Sequence, residues 1–217
     1  MRFAYKAFEP GLVCRGVQFK PIGEKNVTEA ANCARNGWHC AENPADCLSY
    51  YPNIHGSVYC IVAVEGDTDE DANDSKISCT ELTILRELTL PDYFLHILIY
   101  MAKHPSVPCS ITQNERGDAG RRGYAVVRGL RPYAKGRLGD ILAMAREENG
   151  EIVQIAVHVV DGKSIPEDTY IDIDGDVCER CHGRESEQKG VAAVAERKGA
   201  KQPKRDAVTA TGEEVEQ

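Results

Sequence analysis

Three side chains able to support catalysis or ligand binding follow one another through the first ninety residues of the chain. His39 lies in the segment 37–41, Tyr50 follows eleven residues later, and Glu81 comes after the apolar run 58–64. A carboxylate can stabilise positive charge that develops during a reaction, and an aromatic ring can hold a flat ligand ring by stacking. Each residue also has a structural explanation: Glu81 as a strand residue paired with a Lys or Arg, His39 as a hydrogen-bonded core residue, and Tyr50 as a packing anchor.

This order of segments resembles the core of the ADP-ribosyltransferase superfamily, especially its poly-ADP-ribose polymerase branch. The resemblance rests on the spacing of His39 and Tyr50, the apolar strand ending in Gly66, and Glu81 before a β-rich segment. It implies that the protein binds NAD and transfers ADP-ribose to an unknown acceptor. Cleavage of the bond to nicotinamide passes through an oxocarbenium-like ribose, which a carboxylate at Glu81 would stabilise.

The same resemblance implies roles for several aromatic and basic residues. Tyr50 would stack on nicotinamide, with Tyr51 as the alternative, and His39 would hydrogen-bond the ribose or the amide of the base. The family's first motif is usually His-Gly or Arg-Gly on an early strand. This chain offers two candidates for that part of the NAD site, Tyr5 with Lys6, or Arg15 with the following glycine. The sequence leaves both open.

A second resemblance covers most of the chain to about residue 177. The segments 14–19 (CRGVQF), 37–44 (GWHCAENP), 134–139 (AKGRLG) and 160–163 (VDGK) look like an uncharacterised domain family of bacteriophages and prophages. This resemblance implies a phage-related origin and no established activity. It favours an alternative function, a non-enzymatic phage accessory protein that binds a host or virion component.

Composition limits the remaining possibilities. The net charge of −8 argues against binding to nucleic acid, which needs a basic surface. A basic cluster in the middle of the chain is interpreted as a solvated face, although phosphate or a partner could contact it. The longest apolar stretch, 93–101, is far shorter than the roughly 20 residues that span a bilayer. The cluster comprises Arg116, Arg121, Arg122, Arg128, Arg131, Lys135 and Arg137.

The nine cysteines are expected to be thiols, because the N-terminus shows no secretory signal and the expected compartment is the cytoplasm of a bacterial host. Cys178, Cys181 and His182 have half of the spacing of a zinc knuckle. A complete zinc site needs a second pair of ligands, and no such pair is evident. We therefore predict no metal.

Local signals predict the elements that would position these residues. Residues 3–8 are predicted to form a strand, and Asn43 before Pro44 is typical of a helix start. The run 58–64 predicts a buried strand, 66–75 an acidic loop, and 76–88 a longer strand. A buried helix is predicted over 92–103.

The second half of the sequence is patterned differently. Gly117, Gly123 and Gly129 recur every six residues, which indicates either the coils of a β-solenoid or a glycine-rich loop. Asn149 and Gly150 predict a hairpin turn. Overall, the sequence predicts an α+β fold with an ADP-ribosyltransferase-like mixed sheet over 1–104. A small β-rich unit is expected over 105–182 and a disordered charged tail over 183–217. The oligomeric state cannot be inferred.

Overall fold

The computed structural model describes residues 1–33, 35–71 and 74–178. Met1–Cys178 form one compact unit of mixed α and β structure in which strands dominate. The boundary expected near residue 104 falls inside this unit, and the expected tail lies outside the described residues. The elements in chain order are β1 (Arg2–Phe8), β2 (Val13–Cys14), β3 (Val17–Gln18), β4 (Lys25–Val27), β5 (Trp38–Ala41), α1 (Cys47–Tyr50), β6 (Val58–Glu70), β7 (Lys76–Leu88), α2 (Leu90–Lys103), β8 (Thr112–Asp118), β9 (Tyr124–Lys135), β10 (Ile141–Glu148), β11 (Glu151–Val159) and β12 (Ile171–Asp172).

Four strands of the first sheet close into a ring. Strand β1 pairs with β5 and β6, and both of these pair with β7, while β4 extends the sheet beyond β7. Alternate residues of each strand point into the ring, where Phe8, Cys60 and Leu82 belong to one buried apolar cluster. The β2–β3 hairpin adds Cys14 to the edge of this cluster.

The first half of the predicted acidic loop 66–75 is strand, and only the part after Glu70 lies between strands. Strand β6 continues to Glu70, where Asp69 pairs with Ser78 and Glu70 pairs with Ile77 of β7. A shift of register near Gly66, whose φ is +72°, lets the strand bend and continue. Pairing with a buried strand therefore overrides the low strand propensity of these acidic residues. Strand β7 has the predicted bounds.

The predicted helix start at Asn43 is confirmed, whereas the second helix begins at Leu90, two residues before the predicted start. The Asn43 side chain accepts a hydrogen bond from the Ala45 N–H at 3.0 Å, and the chain passes through a 3₁₀ turn at Pro44–Asp46 into the short helix α1. Thr89 caps α2 by accepting from the Asp92 N–H. None of the described helices is long and apolar enough to cross a membrane.

The second sheet contains stacked coils. Strands β8, β9 and β10 lie parallel, and only residues 119–123 and 136–140 connect them, so the chain returns after each strand as it does in a solenoid. Thr112 pairs with Val126, 14 residues later, and Val126 pairs with Ala143, 17 residues later. The parallel strands agree with the stacking that the solenoid alternative predicted, but the paired residues do not follow the six-residue glycine period. The predicted hairpin joins β10 to β11.

Candidate functional site

Glu81 lies on an outer surface of the first sheet. Cross-strand pairs place Phe3, Ala63, Thr83 and Lys25 in one row, and Glu65, Glu81 and Val27 in the next row. We call these seven residues the open face. Phe3 is 61% exposed and Val27 is 59% exposed, which are large fractions for apolar side chains.

Lys25 partly neutralises the negative charges of Glu65 and Glu81 on the open face. The Lys25 Nζ lies 2.6 Å from Glu81 Oε2 and 2.9 Å from Glu65 Oε2. These hydrogen bonds to the two carboxylates raise the pKa of Lys25, and the same lysine lowers the pKa of Glu65. Glu81 therefore has the lysine partner that the structural explanation of this residue predicted.

His39 on β5 and Tyr50 at the end of α1 both lie beside the first residues of β7. His39 pairs with Ser78, and the Tyr50 hydroxyl lies 3.3 Å from the Lys76 Nζ and donates to Asp74 at 3.0 Å. Burial is the main cause that lowers the pKa of His39, followed by the positive charges of nearby lysines and arginine. At about 3.3 Å per residue, Ser78 is roughly 10 Å from Glu81 along the strand.

Two cavities in the described part of the chain lie away from these three residues. A cavity of about 10 Å³ lies under α2, and an open groove of about 540 Å³ crosses the stacked coils beside Glu115 and Glu147. Neither is lined by His39, Tyr50 or Glu81. His39 and Tyr50 instead neighbour residues 76–78 of β7, whereas Glu81 lies three residues beyond Ser78 on that strand.

The first candidate for an early basic motif, Tyr5 with Lys6, lies on β1 with its two side chains on opposite sides of the strand. Tyr5 lies on the outer side, where its hydroxyl is 2.8 Å from His96 Nδ1 of α2. Lys6 points into the ring and is only 6% exposed. The adjoining hairpin turns at Arg15, whose φ is +51°.

Lys6 and Tyr51 meet at Cys14, a residue that the sequence did not single out. The Lys6 Nζ lies 3.6 Å from Cys14 Sγ, and the Tyr51 hydroxyl donates to the same sulfur at 3.2 Å. We call these three residues the thiol cluster. Lys6 also donates to the His39 carbonyl at 2.7 Å. Burial raises the pKa of Tyr51, and the hydrogen bond to Cys14 raises it further, so this phenol remains an O–H donor.

Several members of the predicted basic cluster make contacts with other side chains of the fold. Arg116 donates to the Tyr170 hydroxyl at 2.7 Å and lies over the Tyr170 ring, while Arg128 pairs with Glu147 at 2.7 Å. Lys135 lies 5.0 Å above the same tyrosine ring. Three of the seven residues of the expected basic surface are therefore used in contacts within the fold.

Most of the described cysteines are free thiols, as predicted. Cys178 is instead disulfide-bonded. Cys181 and His182 of the half zinc motif lie outside the described residues. Within 1–33, 35–71 and 74–178, no group of three or more His, Cys, Asp or Glu residues could hold a metal ion. The free thiols are Cys14, Cys33, Cys40, Cys47, Cys60, Cys79 and Cys109.

Residues 2–96 match a family described as a domain of unknown function, DUF7666. The matched region contains the open face and the thiol cluster and ends within α2, so the stacked coils lie outside it. Neither the curated proteins nor the solved structures include one that matches the chain.

Proposed function

We propose that this chain is a non-enzymatic binding protein whose open face captures a partner protein. The observation that supports this function most strongly is the exposure of Phe3 on β1 and Val27 on β4, at opposite ends of the rows that contain the ion pairs of Lys25. Large apolar side chains that are exposed together, with charged groups beside them, are typical of protein interaction sites. The phage-type resemblance makes a host or virion component the expected partner.

The charges of the open face define the chemistry of that partner. Lys25 is shared by Glu65 and Glu81, so two carboxylates face one ammonium and the three groups together carry one negative charge. A partner surface with apolar side chains and one basic side chain would complement this arrangement. The expected complex therefore has Phe3 and Val27 buried and Glu81 in contact with an Arg or Lys.

Affinity capture with matched variants tests the proposed function. The bait is the full chain, incubated with extract of the cells in which the gene is found. We expect Phe3→Glu combined with Val27→Glu to weaken capture of the partner at least about tenfold, because it places charge where apolar contact is needed. The control is Leu138→Glu, since Leu138 is 64% exposed and lies outside the open face. Equal capture by all three baits, or no captured protein, would contradict the proposal.

ADP-ribosyl transfer from NAD is the second candidate function. It is favoured by one observation, that Tyr50 and His39 neighbour residues 76–78 of the strand β7 that also carries Glu81. In this function Glu81 would turn from Lys25 to the ribose, and Tyr50 would stack on nicotinamide.

Transfer of label from NAD tests this second function, and a second glutamate of the same protein serves as the control. If the protein is a transferase, the wild type should transfer label, Glu81→Gln should not, and Glu65→Gln should retain transfer. Glu65 is the matched control because it pairs with the same lysine but has no assigned role in the chemistry. The absence of both NAD binding and label transfer in the wild type would eliminate this function.

A further inference from the structure

Lys6 is a buried cation for which the described residues supply no carboxylate. The side chain is 6% exposed, and the ion pairs of the described residues do not include it. Its Nζ lies 5.2 Å from the ring centre of Phe8 and 5.0 Å from that of Phe19. Aromatic faces and one carbonyl stabilise an ammonium only in part, so a buried charge of this kind requires an anion.

The sulfur of Cys14 is the group placed to be that anion. It lies 3.6 Å from the Lys6 Nζ and accepts the hydrogen bond of the Tyr51 hydroxyl. Tyr51 is held in place because its own carbonyl accepts a hydrogen bond from Tyr59 at 2.6 Å. Two donors therefore point at one sulfur, and a thiolate is stabilised by a nearby cation and by donated hydrogen bonds.

We infer that Cys14 is a thiolate paired with Lys6 and that it is a nucleophilic site for small oxidants of the peroxide class. Cys14 is only partly buried, which leaves it open to a small molecule. In the reaction, the sulfur attacks one peroxide oxygen, the S–O bond forms and the O–O bond breaks. The sulfur loses two electrons and becomes a sulfenic acid. The departing hydroxide is protonated by solvent to water.

The chain contains two partly buried thiols in different surroundings, which serve as internal references. The Cys33 thiol donates to the Asp69 carbonyl at 3.3 Å, and burial raises the pKa of Cys33. Cys109 lies beside the small cavity under α2. The positive charge of Lys76 also acts on Cys33, but the hydrogen bonds of the Cys33 sulfur go to the backbone carbonyls of Asp69 and Lys76 and not to an ammonium.

Pulsed alkylation of the native full-length protein tests the inference. After short exposure to iodoacetamide, peptide mass mapping should show Cys14 alkylated at least about tenfold faster than Cys33 and Cys109, as expected of a thiolate among thiols. Lys6→Met and, separately, Tyr51→Phe should each slow Cys14 at least about fivefold and leave the two reference cysteines unchanged.

Hydrogen peroxide followed by a sulfenic-acid trap provides the second measurement. The trapped adduct is expected at Cys14 in the wild type and should be strongly reduced in Tyr51→Phe. That variant keeps the aromatic ring, so it remains informative if Lys6→Met fails to fold. Alkylation of Cys14 at the rate of Cys33, or an adduct confined to other cysteines, would overturn the inference.

Discussion

Replacing Phe94 with alanine is expected to lower the free energy of unfolding by about 3–5 kcal/mol. The Phe94 ring is fully buried in α2 and lies 5.7 Å from the Tyr93 ring and 5.0 Å from the Tyr124 ring. Tyr124 begins β9 of the stacked coils, whereas Tyr93 stacks on Tyr59 of the first sheet at 3.9 Å. The lost ring would leave a cavity where the two halves of the compact unit meet.

Urea unfolding of the wild type and the variant measures this loss, and it also tests whether the two sheets unfold together. The chain has a single tryptophan, Trp38, whose fluorescence reports on the first sheet, while far-UV circular dichroism reports on the whole. Both signals should change at one midpoint. Leu95→Ala is the control because Leu95 is 37% exposed on the same helix, and it should cost less than about 1 kcal/mol. Equal losses from both variants would contradict the packing role of Phe94.

Local chemistry made several elements predictable from the sequence. The cap at Asn43 depends on residues within one helical turn, and the turn at Asn149 and Gly150 requires a positive φ at both positions, which the structure shows at +54° and +84°. The bounds of β7 follow from its own apolar content. Such short-range interactions can be predicted from the sequence because the residues that make them are close together in the chain.

Strand pairing was not predictable in the same way. Residues 66–70 are acidic and have low strand propensity, yet the hydrogen-bonding groups of β7 extend beside them and make them strand. The number of residues in each coil was also not predicted, because the glycines of the repeat have different structural roles. Gly123 has a φ of +76° in a turn, whereas Gly117 faces the packed interior. A regular spacing of glycines therefore indicated stacking without giving its period.

The thiol cluster shows why side-chain sites are harder to predict than elements. Lys6 reaches the His39 carbonyl 33 residues away, and Tyr51 reaches Cys14 across 37 residues. Both sides of β1 carry apolar residues, so alternation alone could not show that Lys6 points into the ring. Resemblance directed attention to Lys6, Arg15 and Tyr51 for a different reason, and the sulfur on which two of them converge came only from the fold.

Among substitutions that test the stacked coils, the one at Gly117 is expected to change the free energy of unfolding most. A Cβ atom at this position would lie 2.2 Å from Val127 Cγ2 and 3.2 Å from the Ala125 Cβ, inside the coil. Gly117→Ala is therefore expected to lower the free energy of unfolding by up to about 3 kcal/mol through overpacking. Val127→Ala removes the clashing methyl group and leaves a small cavity, so it should also destabilise the protein when introduced alone.

The two substitutions should compensate for each other, because the alanine methyl at 117 enters the space that Val127 vacates. We expect the double variant to be more stable than the sum of the single losses predicts, by about 1–2 kcal/mol. Urea unfolding of the four proteins gives this coupling energy directly. Pairing Gly117→Ala with Leu138→Ala, at an exposed position that is not among the nearest neighbours of Gly117, should give losses that add. Additive losses in both cycles would mean that Gly117 and Val127 do not face each other across the interior of the coils.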